Sequence, residues 1–301
     1  MLVFHDMERR YPITLGEFER RFPDDTACGA YLKTVRWPYG IECPRCNSRK
    51  GIEIRRNMWR CSECKYETSV MVGTIFQDSK IPLTLWFRTM WRMVSKKYGL
   101  SAMELQKFLE LGSNKTAGMM LRKIRAAMGY PNRKRLSGTI EVDEIYYGAK
   151  KTLIAVAVEV NYYPDIGNIR LCHISDLSRE VLHNFIAQTI EPGSTVITDD
   201  LQAYQELPGY THLPHKVKRS RSKISALLPA VYQVASLLNQ WLLNTHHGTI
   251  SHDYLDGYLN EFAFRYNRRK YQSRGKLFFR LLQQAVRIDP RPASLFAQHK
   301  Q

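Results

Sequence analysis

The sequence predicts an α/β protein in which a mixed β-sheet is flanked by helices and follows two smaller segments, one cysteine-rich and one helical. Three observations carry this prediction. Two cysteine pairs lie near the N-terminus, apolar residues recur at helical spacing through residues 82–128, and residues 139–217 read as β-β-β-α-β-α-β with helices after them. The chain therefore divides into segments 1–80, 81–135 and 136–301.

The chain is strongly basic. Its 301 residues hold 45 Lys and Arg against 28 Asp and Glu, a formal net charge of +17. From residue 211 onward there are 15 Lys and Arg and only four acids. Clustered positive charge is typical of a protein that binds a polyanion such as nucleic acid, and a solubilising surface is the alternative.

Composition excludes several other classes. With 44% hydrophobic and 11% aromatic residues, the chain can build a core and is not a disordered tail. No apolar run approaches the roughly 20 residues that a membrane helix needs. The first residues do not show the basic start and apolar stretch of a secretory signal. We therefore expect a cytoplasmic protein without membrane partners.

Four cysteines form two Cys-x-x-Cys pairs, Cys43 with Cys46 and Cys61 with Cys64, separated by 14 residues. Each pair can aim two thiolates at one point, and a hairpin of residues 51–60 brings the pairs together. Four thiolates leave no open coordination position, so we predict one structural Zn²⁺. A redox dithiol or disulfides are the alternatives; a cytosolic chain argues against disulfides. Cys28 and Cys172 are expected to be ordinary buried residues.

Residues 82–128 are predicted to form three helices. The first contains Leu85 to Val94, Ser101 caps the second, and the third runs from Asn114 to Met128 after a turn at residues 112–113. Helix, short turn and helix is the outline of a helix-turn-helix. The last helix has a basic face, although any basic helical hairpin shows the same pattern. The basic residues are Lys115, Arg122, Lys123 and Arg125.

Two acids follow or interrupt apolar strands. Asp143 lies within the strand predicted over 139–147, and Asp199 ends the strand predicted over 194–198. Alternation places Glu141 and Asp143 on one face of the first strand and Glu144 on the other. Two carboxylates that converge at strand ends form a site for Mg²⁺, which prefers oxygen ligands.

Each acid also has a structural interpretation. Asp199 or Asp200 can cap the helix predicted to begin at Leu201, because aspartate is favoured at that position. Glu144 can pair with Lys150 or Lys151. Neither Asp143 nor Asp199 alone distinguishes a metal site from these structural roles.

The helix expected to provide a third metal ligand has no acid. No Asp or Glu occurs in the 46 residues from Leu207 to His252. The helix predicted over 229–243 has an apolar stripe of Val231, Val234, Leu238, Trp241 and Leu242. Its other face presents Tyr232, Ser236 and Asn239, of which Asn239 alone offers a neutral oxygen ligand.

Four blocks of sequence resemble bacterial insertion-sequence transposases of the DDE, ribonuclease H-like type with an N-terminal zinc ribbon. The blocks are Tyr31-Leu-Lys-Thr-Val-Arg-Trp-Pro38 before the first cysteine pair, Leu136-Ser-Gly-Thr-Ile-Glu-Val-Asp-Glu144, Val196-Ile-Thr-Asp-Asp200 with Tyr204, and Tyr258-Leu-Asn-Glu-Phe-Ala-Phe-Arg-Tyr-Asn-Arg-Arg269. The strand order also matches a ribonuclease H-like fold. The resemblance assigns the first two catalytic aspartates to Asp143 and Asp199.

The resemblance implies an enzyme that binds terminal inverted repeats as a dimer or larger assembly, cuts DNA with two Mg²⁺ or Mn²⁺ ions, and joins the ends to target DNA. It implies a bacterial protein that associates with the nucleoid when it is bound to DNA. Phosphate contacts are expected from the basic C-terminal residues, namely Lys216, Lys218, Arg219, Arg221, Lys223, Arg265, Arg268 and Arg269.

The third catalytic position departs from the family pattern. Alignment to the family places Tyr232 at the ligand position and Asn239 at the position of a family lysine. Either Asn239 or a nearby histidine (His246, His247) substitutes, or the protein is a catalytically impaired or inactive transposase-derived DNA-binding protein. A zinc-ribbon transcription factor is a further alternative, but it leaves the strand-rich domain without a role.

Overall fold

The computed structural model describes residues 11–55, 57–129, 133–148, 151–162, 165–215, 228–246 and 254–288. They form two compact units. The first contains the chain up to residue 130 and the segment from residue 270 onward, and the second contains residues 131–269.

The first unit contains six helices and three strands among the described residues. They are α1 (Leu15–Arg21), α2 (Asp25–Arg36), β1 (Gly51–Arg55), β2 (Met58–Cys61), β3 (Glu67–Ser69), α3 (Leu83–Ser95), α4 (Ala102–Leu109), α5 (Asn114–Met128) and, near the C-terminus, α9 (Arg274–Ala285).

The second unit contains the remaining elements. They are β4 (Thr139–Tyr147), β5 (Thr152–Tyr162), β6 (Asp165–Ile174), α6 (Arg179–Thr189), β7 (Thr195–Asp199), a 3₁₀ helix (Gln202–Tyr204), β8 (Thr211–His215), α7 (Pro229–His246) and α8 (Leu255–Tyr266).

Aromatic side chains join the helices of the first unit around Phe278 of α9. The Phe278 ring lies 5.5 Å from the rings of Phe18 and Phe87 and 5.9 Å from that of Trp91. Phe278 is fully buried. Segment 136–301 is therefore not one packing unit, because the apolar face of α9 is covered by the N-terminal helices.

The cysteine-rich segment folds as an antiparallel sheet in the order β1-β2-β3. The first two strands were predicted; α2 and the short β3 were not. Asp24 caps α2 by accepting from the backbone N–H groups of Thr26 and Ala27. At the other end of α2, the Arg36 guanidinium donates to the carbonyls of Ser69 and Val70 and fastens the helix beside β3.

The three helices predicted over 82–128 are confirmed. The Ser101 hydroxyl accepts from the N–H of Glu104 at the start of α4, and Ser113 caps α5 in the same way. Helix α4 ends at Glu110 in a left-handed conformation, with φ of 53°, which turns the chain toward α5. The segment has the predicted helix-turn-helix order.

The second unit is built on a mixed five-stranded sheet in the order β6-β5-β4-β7-β8, which confirms the predicted fold class. Strands β4, β5 and β6 are antiparallel, whereas β7 lies parallel to both β4 and β8. Strands β4 and β7 pair over only three positions, from Thr139–Thr195 to Glu141–Ile197. The helix predicted over 201–207 is a single 3₁₀ turn.

Helices cover both faces of this sheet. On one face, Ile140 and Val142 of β4 pack with α6 residues and with Tyr204. On the other, β5 residues pack against α7 and α8. The apolar stripe predicted for α7 is buried there as expected, with Val231, Val234, Leu238, Trp241 and Leu242 all in this core.

The residues that directly follow helix α8 hold it to the edge strand β6. The Asn267 side chain accepts from the N–H of Ile169 and donates to its carbonyl. The Arg269 guanidinium donates to the carbonyls of Ile166 and Gly167. Among the described residues, no helix is long and apolar enough to span a membrane.

Candidate functional site

Three carboxylates converge where β4 and β7 separate. Asp143, Glu144 and Asp199 each place a carboxylate oxygen within 4.8 Å of the other two. The β4–β7 ladder ends at Glu141 and Ile197, two residues before the two aspartates on their respective strands. Parallel strands carry residues of matching register to the same edge, so the two aspartates lie side by side.

Glu144 joins the cluster although it follows Asp143 directly. The neighbouring residues Val142 and Ile145 pack on opposite faces of the sheet, as alternation predicts. Glu144 is on the α6 face, where its Oε2 accepts from the Tyr204 hydroxyl at 2.9 Å. Glu144 was predicted to pair with Lys150 or Lys151 and had no predicted functional role. The structure shows the hydroxyl of Tyr204 as its partner, and Lys150 lies outside the described residues.

The surroundings make the charged forms of these acids costly. Burial first, then the charge of Glu144, raises the pKa of Asp143 to about 7. Burial also raises the pKa values of Glu144 and Asp199. Clustered carboxylates of raised pKa need a cation to become stable as anions, and oxygen donors suit Mg²⁺ or Mn²⁺. The residues present therefore fit a divalent metal.

Asp199 also makes a local backbone contact, but it does not cap a helix as the capping interpretation predicts. Its Oδ1 accepts from the N–H of Leu201 at 3.1 Å. The 3₁₀ turn that follows begins after Leu201 and has no side-chain cap. Because a carboxylate has two oxygens with several lone pairs, this contact and membership of the cluster are compatible.

Glu141 connects the strand of the cluster to α7. Its side chain is buried, and its Oε2 accepts from the N–H groups of Ala230 and Val231 at 2.8 and 3.0 Å. These N–H groups lie in the first turn of α7 and have no partner within the helix. The carboxylate thus fixes the start of α7 to β4, two residues from Asp143.

The α7 candidates lie away from the apolar stripe. Tyr232 is 60% exposed and Asn239 is half-buried. Helix α7 contains no acid, and the third carboxylate of the cluster is that of Glu144 on β4. The side chain of His246 and all of His247 lie outside the described residues.

The four predicted cysteines meet in the first unit. Their sulfurs lie within 4.8 Å of one another, with 3.5 Å between Cys43 and Cys64 and 3.6 Å between Cys46 and Cys61. Sulfurs at the corners of a tetrahedral Zn²⁺ site are about 3.8 Å apart, given Zn–S bonds of about 2.3 Å. The set fits a structural zinc, as predicted.

The two cysteine pairs share one backbone geometry. The N–H of Asn47 donates to the carbonyl of Cys43, and the N–H of Lys65 donates to that of Cys61. Asn47 and Lys65 both have a left-handed backbone, with φ near 58° and 59°. Each cysteine pair therefore lies on a turn closed by the same backbone hydrogen bond and followed by the same left-handed residue conformation. Of the two remaining cysteines, Cys28 is buried as expected, but Cys172 is exposed.

The basic residues of the helix-turn-helix divide by burial. Lys115 is exposed and Arg122 is half-buried on α5. Arg125 is only 5% exposed, and its guanidinium donates to the carbonyl of Leu100 at 2.9 Å. The expected DNA contact from Arg125 is corrected, because this side chain ties α5 to the residue before the α4 cap.

The C-terminal arginines are engaged within the second unit. Arg265 forms an ion pair with buried Glu261 at 2.8 Å, and Arg268 stacks on the Phe264 ring at 4.1 Å. Arg269 donates to β6 carbonyls, as described above. The other predicted basic contacts, Lys216, Lys218, Arg219, Arg221 and Lys223, lie outside the described residues.

Two protein-family models match this chain, one near the N-terminus and one over the strand-rich segment. Residues 23–67 match a transposase zinc-ribbon domain, and residues 135–267 match the ISXO2-like transposase domain. These segments contain the four paired cysteines and the three clustered carboxylates, respectively.

Individual relatives are more distant. A protein of Halobacterium salinarum, described as an uncharacterized protein in transposable element ISH50, is 26% identical over 136 residues, which are 43% of this chain and 44% of the relative. The alignment thus spans less than half the length of that relative. A chain from the cryoEM structure of the simian T-cell lymphotropic virus intasome in complex with PP2A regulatory subunit B56 gamma is 17% identical, with 59% of this chain and 74% of that chain covered and a TM-score of 0.32.

The cysteine frame, the mixed sheet and the acidic cluster each lie within the matching domain model. The chain therefore belongs to the insertion-sequence transposases that join an N-terminal zinc ribbon to an ISXO2-like transposase domain of the DDE type.

Proposed function

We propose that this protein binds the terminal inverted repeats of an insertion sequence and catalyses metal-dependent DNA strand cleavage and transfer. The observation that carries the proposal is the convergence of Asp143, Glu144 and Asp199 within 4.8 Å inside the matched transposase domain. The zinc ribbon and the helix-turn-helix supply surfaces suited to reading the element ends.

Asp143, Glu144 and Asp199 are the residues that would hold two Mg²⁺ or Mn²⁺ ions. When bound, such ions activate water or a 3′-hydroxyl for attack on a phosphodiester and stabilise the charge that develops on the leaving oxygen. The protein's own contribution is to hold three carboxylates together at the edge of the sheet. Burial there raises their pKa values, so their charged forms are unfavourable unless a cation neutralises them.

Helix α7 has a supporting role in this proposal. Glu141 fixes its first turn to β4, so that the position of the helix depends on the strand that carries Asp143. We assign Asn239 the role of a neutral oxygen donor toward metal or DNA and Tyr232 that of an exposed contact on the same helix.

DNA binding is assigned to basic residues on both units. Lys115 and Arg122 would contact DNA from α5. Phosphate contacts would come from the segment that contains Lys216, Lys218, Arg219, Arg221 and Lys223 and from Arg268 and Arg269. Arg265 is left out of this set, because its guanidinium is mostly buried and paired with Glu261. We further propose that the protein acts in the bacterial cytoplasm on nucleoid DNA, as a dimer or larger assembly that holds both element ends.

The alternative is a catalytically impaired or inactive DNA-binding protein. Its basis was the lack of a third carboxylate on α7. Glu144 removes much of that basis, because the structure provides a third carboxylate from β4.

Cleavage of a supercoiled donor plasmid tests the proposal. We expect the wild type to cut plasmids that carry the element ends in the presence of Mn²⁺ or Mg²⁺. Asp199→Asn should lower the rate by more than about 100-fold, because changes to outer-shell partners alone cost about 10–100-fold at metal sites.

The matched control is Asp200→Asn, which changes the exposed neighbour that lies outside the acidic cluster. This variant should cut at a rate close to that of the wild type. Equal background cleavage by wild type and Asp199→Asn, with DNA binding intact, would contradict the enzyme and favour the DNA-binding alternative.

A further inference from the structure

Tyr204 has a buried hydroxyl with a defined acceptor. Its side chain is fully buried among the apolar residues of the α6 face. The hydroxyl lies 2.9 Å from Oε2 of Glu144 and donates to it. Burying a phenol hydroxyl without a partner is costly, so Tyr204 needs this acceptor. The apolar core that fixes the Tyr204 ring also fixes the direction of the hydrogen bond.

Glu144 depends on such a contact because its strand position does not direct it toward the aspartates. Val142 and Glu144 are two residues apart on β4, and Val142 packs in the core on the α6 face. Asp143 is on the opposite face. The carboxylate of Glu144 therefore has to be held at the sheet edge to stay within 4.8 Å of Asp143 and Asp199.

The same contact affects the charge of Glu144. The hydrogen bond from Tyr204 lowers the pKa of Glu144 and opposes the larger effect of burial, which raises it. Burial and the nearby acids raise the pKa of Tyr204, so its hydroxyl keeps the proton that it donates.

We infer that Tyr204 is a positioning residue of the metal site, acting through Glu144 to aim a third carboxylate at the ions that Asp143 and Asp199 bind. The inference rests on the proposed function, since it requires that the acidic cluster bind divalent ions. The short turn after β7 thus helps to place a third carboxylate from β4, whereas a third ligand was expected from α7 itself.

Titration of the full-length protein with Mn²⁺, followed by the loss of the free-ion EPR signal, tests the inference. Tyr204→Phe keeps the ring and removes the hydroxyl, and we expect Mn²⁺ to bind about 10-fold more weakly, as for other partners of metal ligands. Tyr210→Phe is the matched control. Its hydroxyl donates to the carbonyl of Ile190 at 3.1 Å, and its ring packs against the same core.

A purely structural role for Tyr204 would make the two variants bind Mn²⁺ alike, and that result would overturn the inference. A second test compares the Mn²⁺ affinity of Glu144→Ala with that of the double variant Glu144→Ala, Tyr204→Phe. If Tyr204 acts through Glu144, adding Tyr204→Phe to that variant should leave the affinity unchanged. A further 10-fold loss in the double variant would show that Tyr204 acts elsewhere.

The failure of the proposed function would look different. Wild-type protein and Asp143→Asn would then bind Mn²⁺ equally weakly, before Tyr204 is changed. With metal binding by the wild type established, only the comparison of Tyr204→Phe with Tyr210→Phe decides whether Tyr204 positions Glu144.

Discussion

At the scale of single residues, Asp143 links the protein's stability to pH. Its folded-state pKa is raised to about 7 from an ordinary value of 3.8. The contribution of this carboxyl to stability is therefore complete below about pH 4, falls as pH rises toward 7, and is lost above it. A bound divalent ion reverses this penalty by stabilising the carboxylate.

Asp143→Asn should consequently raise the Tm of the metal-free protein, and by more at pH 8 than at pH 5. The amide carries no charge at either pH, so the burial cost of the carboxylate is removed where it is largest. Differential scanning fluorimetry in EDTA measures both differences. Adding Mn²⁺ at pH 8 should stabilise the wild type but not the variant. A variant less stable than the wild type at pH 8 in EDTA would contradict the account.

Glu261 and Arg265 illustrate how burial changes the value of an ion pair. Glu261 is fully buried and the Arg265 side chain is 17% exposed, with 2.8 Å between them. Glu261→Ala should lower the free energy of unfolding by about 3–5 kcal/mol, because it leaves a mostly buried guanidinium without this partner.

The exposed pair of Arg179 and Glu206 is the control for this prediction. Its atoms are 2.7 Å apart, but the side chains are 47% and 82% exposed. Glu206→Ala should cost at most about 1 kcal/mol. Urea denaturation of both variants provides the comparison, and equal losses would show that the buried pair has no special weight.

At the scale of elements, the zinc ribbon places its four paired cysteines on two turns that share one backbone geometry. Its small apolar cluster includes Trp59 and the two buried cysteines, which is a limited core for a three-stranded sheet. Metal binding should therefore provide much of the folding free energy of this element.

Metal analysis of the purified protein should find one Zn²⁺ per chain. Cys43→Ser should lose the zinc and make the ribbon sensitive to proteolysis, whereas Cys172→Ser should keep both zinc and ribbon. Cys172 is the suitable control because it is exposed and lies in the other unit. Retention of a full zinc equivalent by Cys43→Ser would contradict the four-cysteine site.

Helix α5 gives a second prediction at this scale, based on the contrast between Lys115 and Arg125. Lys115→Ala should weaken DNA binding across all sequences and reduce the slope of log affinity against log salt by about 1, with unchanged Tm. Arg125→Ala should mainly lower Tm, because Arg125 is buried against the Leu100 carbonyl. Fluorescence anisotropy at several salt concentrations, with thermal melts, separates the two effects. A reduced salt slope in folded Arg125→Ala would contradict the burial.

At the scale of the whole molecule, the chain returns to its first unit near its end. The segment from residue 270 contributes α9, and buried Phe278 contacts the aromatic rings of α1 and α3. Residues 131–269 carry their own two-sided core and the acidic cluster.

A fragment of residues 131–269 should therefore fold alone and bind Mn²⁺, whereas residues 1–130 should require the segment 270–301 for solubility. Circular dichroism, size-exclusion chromatography and co-expression of the two pieces of the first unit measure this. A soluble, cooperatively melting 1–130 fragment would show that α9 is dispensable for the first core.

Some features could be predicted because the information is local. Cysteine spacing predicts the ribbon, since short turns aim each pair, and apolar periodicity predicts α3, α5 and the stripe of α7. The order of the strands and the places of Asp143 within one strand and Asp199 at the end of another predict these two aspartates as a pair. Helix α2 was missed although Asp24 and the spacing of Cys28, Leu32 and Val35 indicate it.

Other features depend on which elements meet in space. Strand periodicity directs Glu144 away from Asp143, and only the early end of the β4–β7 ladder and the hydroxyl of Tyr204 bring its carboxylate back. Arg125 carries the same charge as Lys115, and packing against Leu100 decides that it is buried. Most elements, the paired cysteines and the paired aspartates were predictable because backbone geometry and spacing act over a few residues. The third carboxylate, the buried arginine and the unit to which α9 belongs were not, because burial and partner choice are properties of contacts between distant segments.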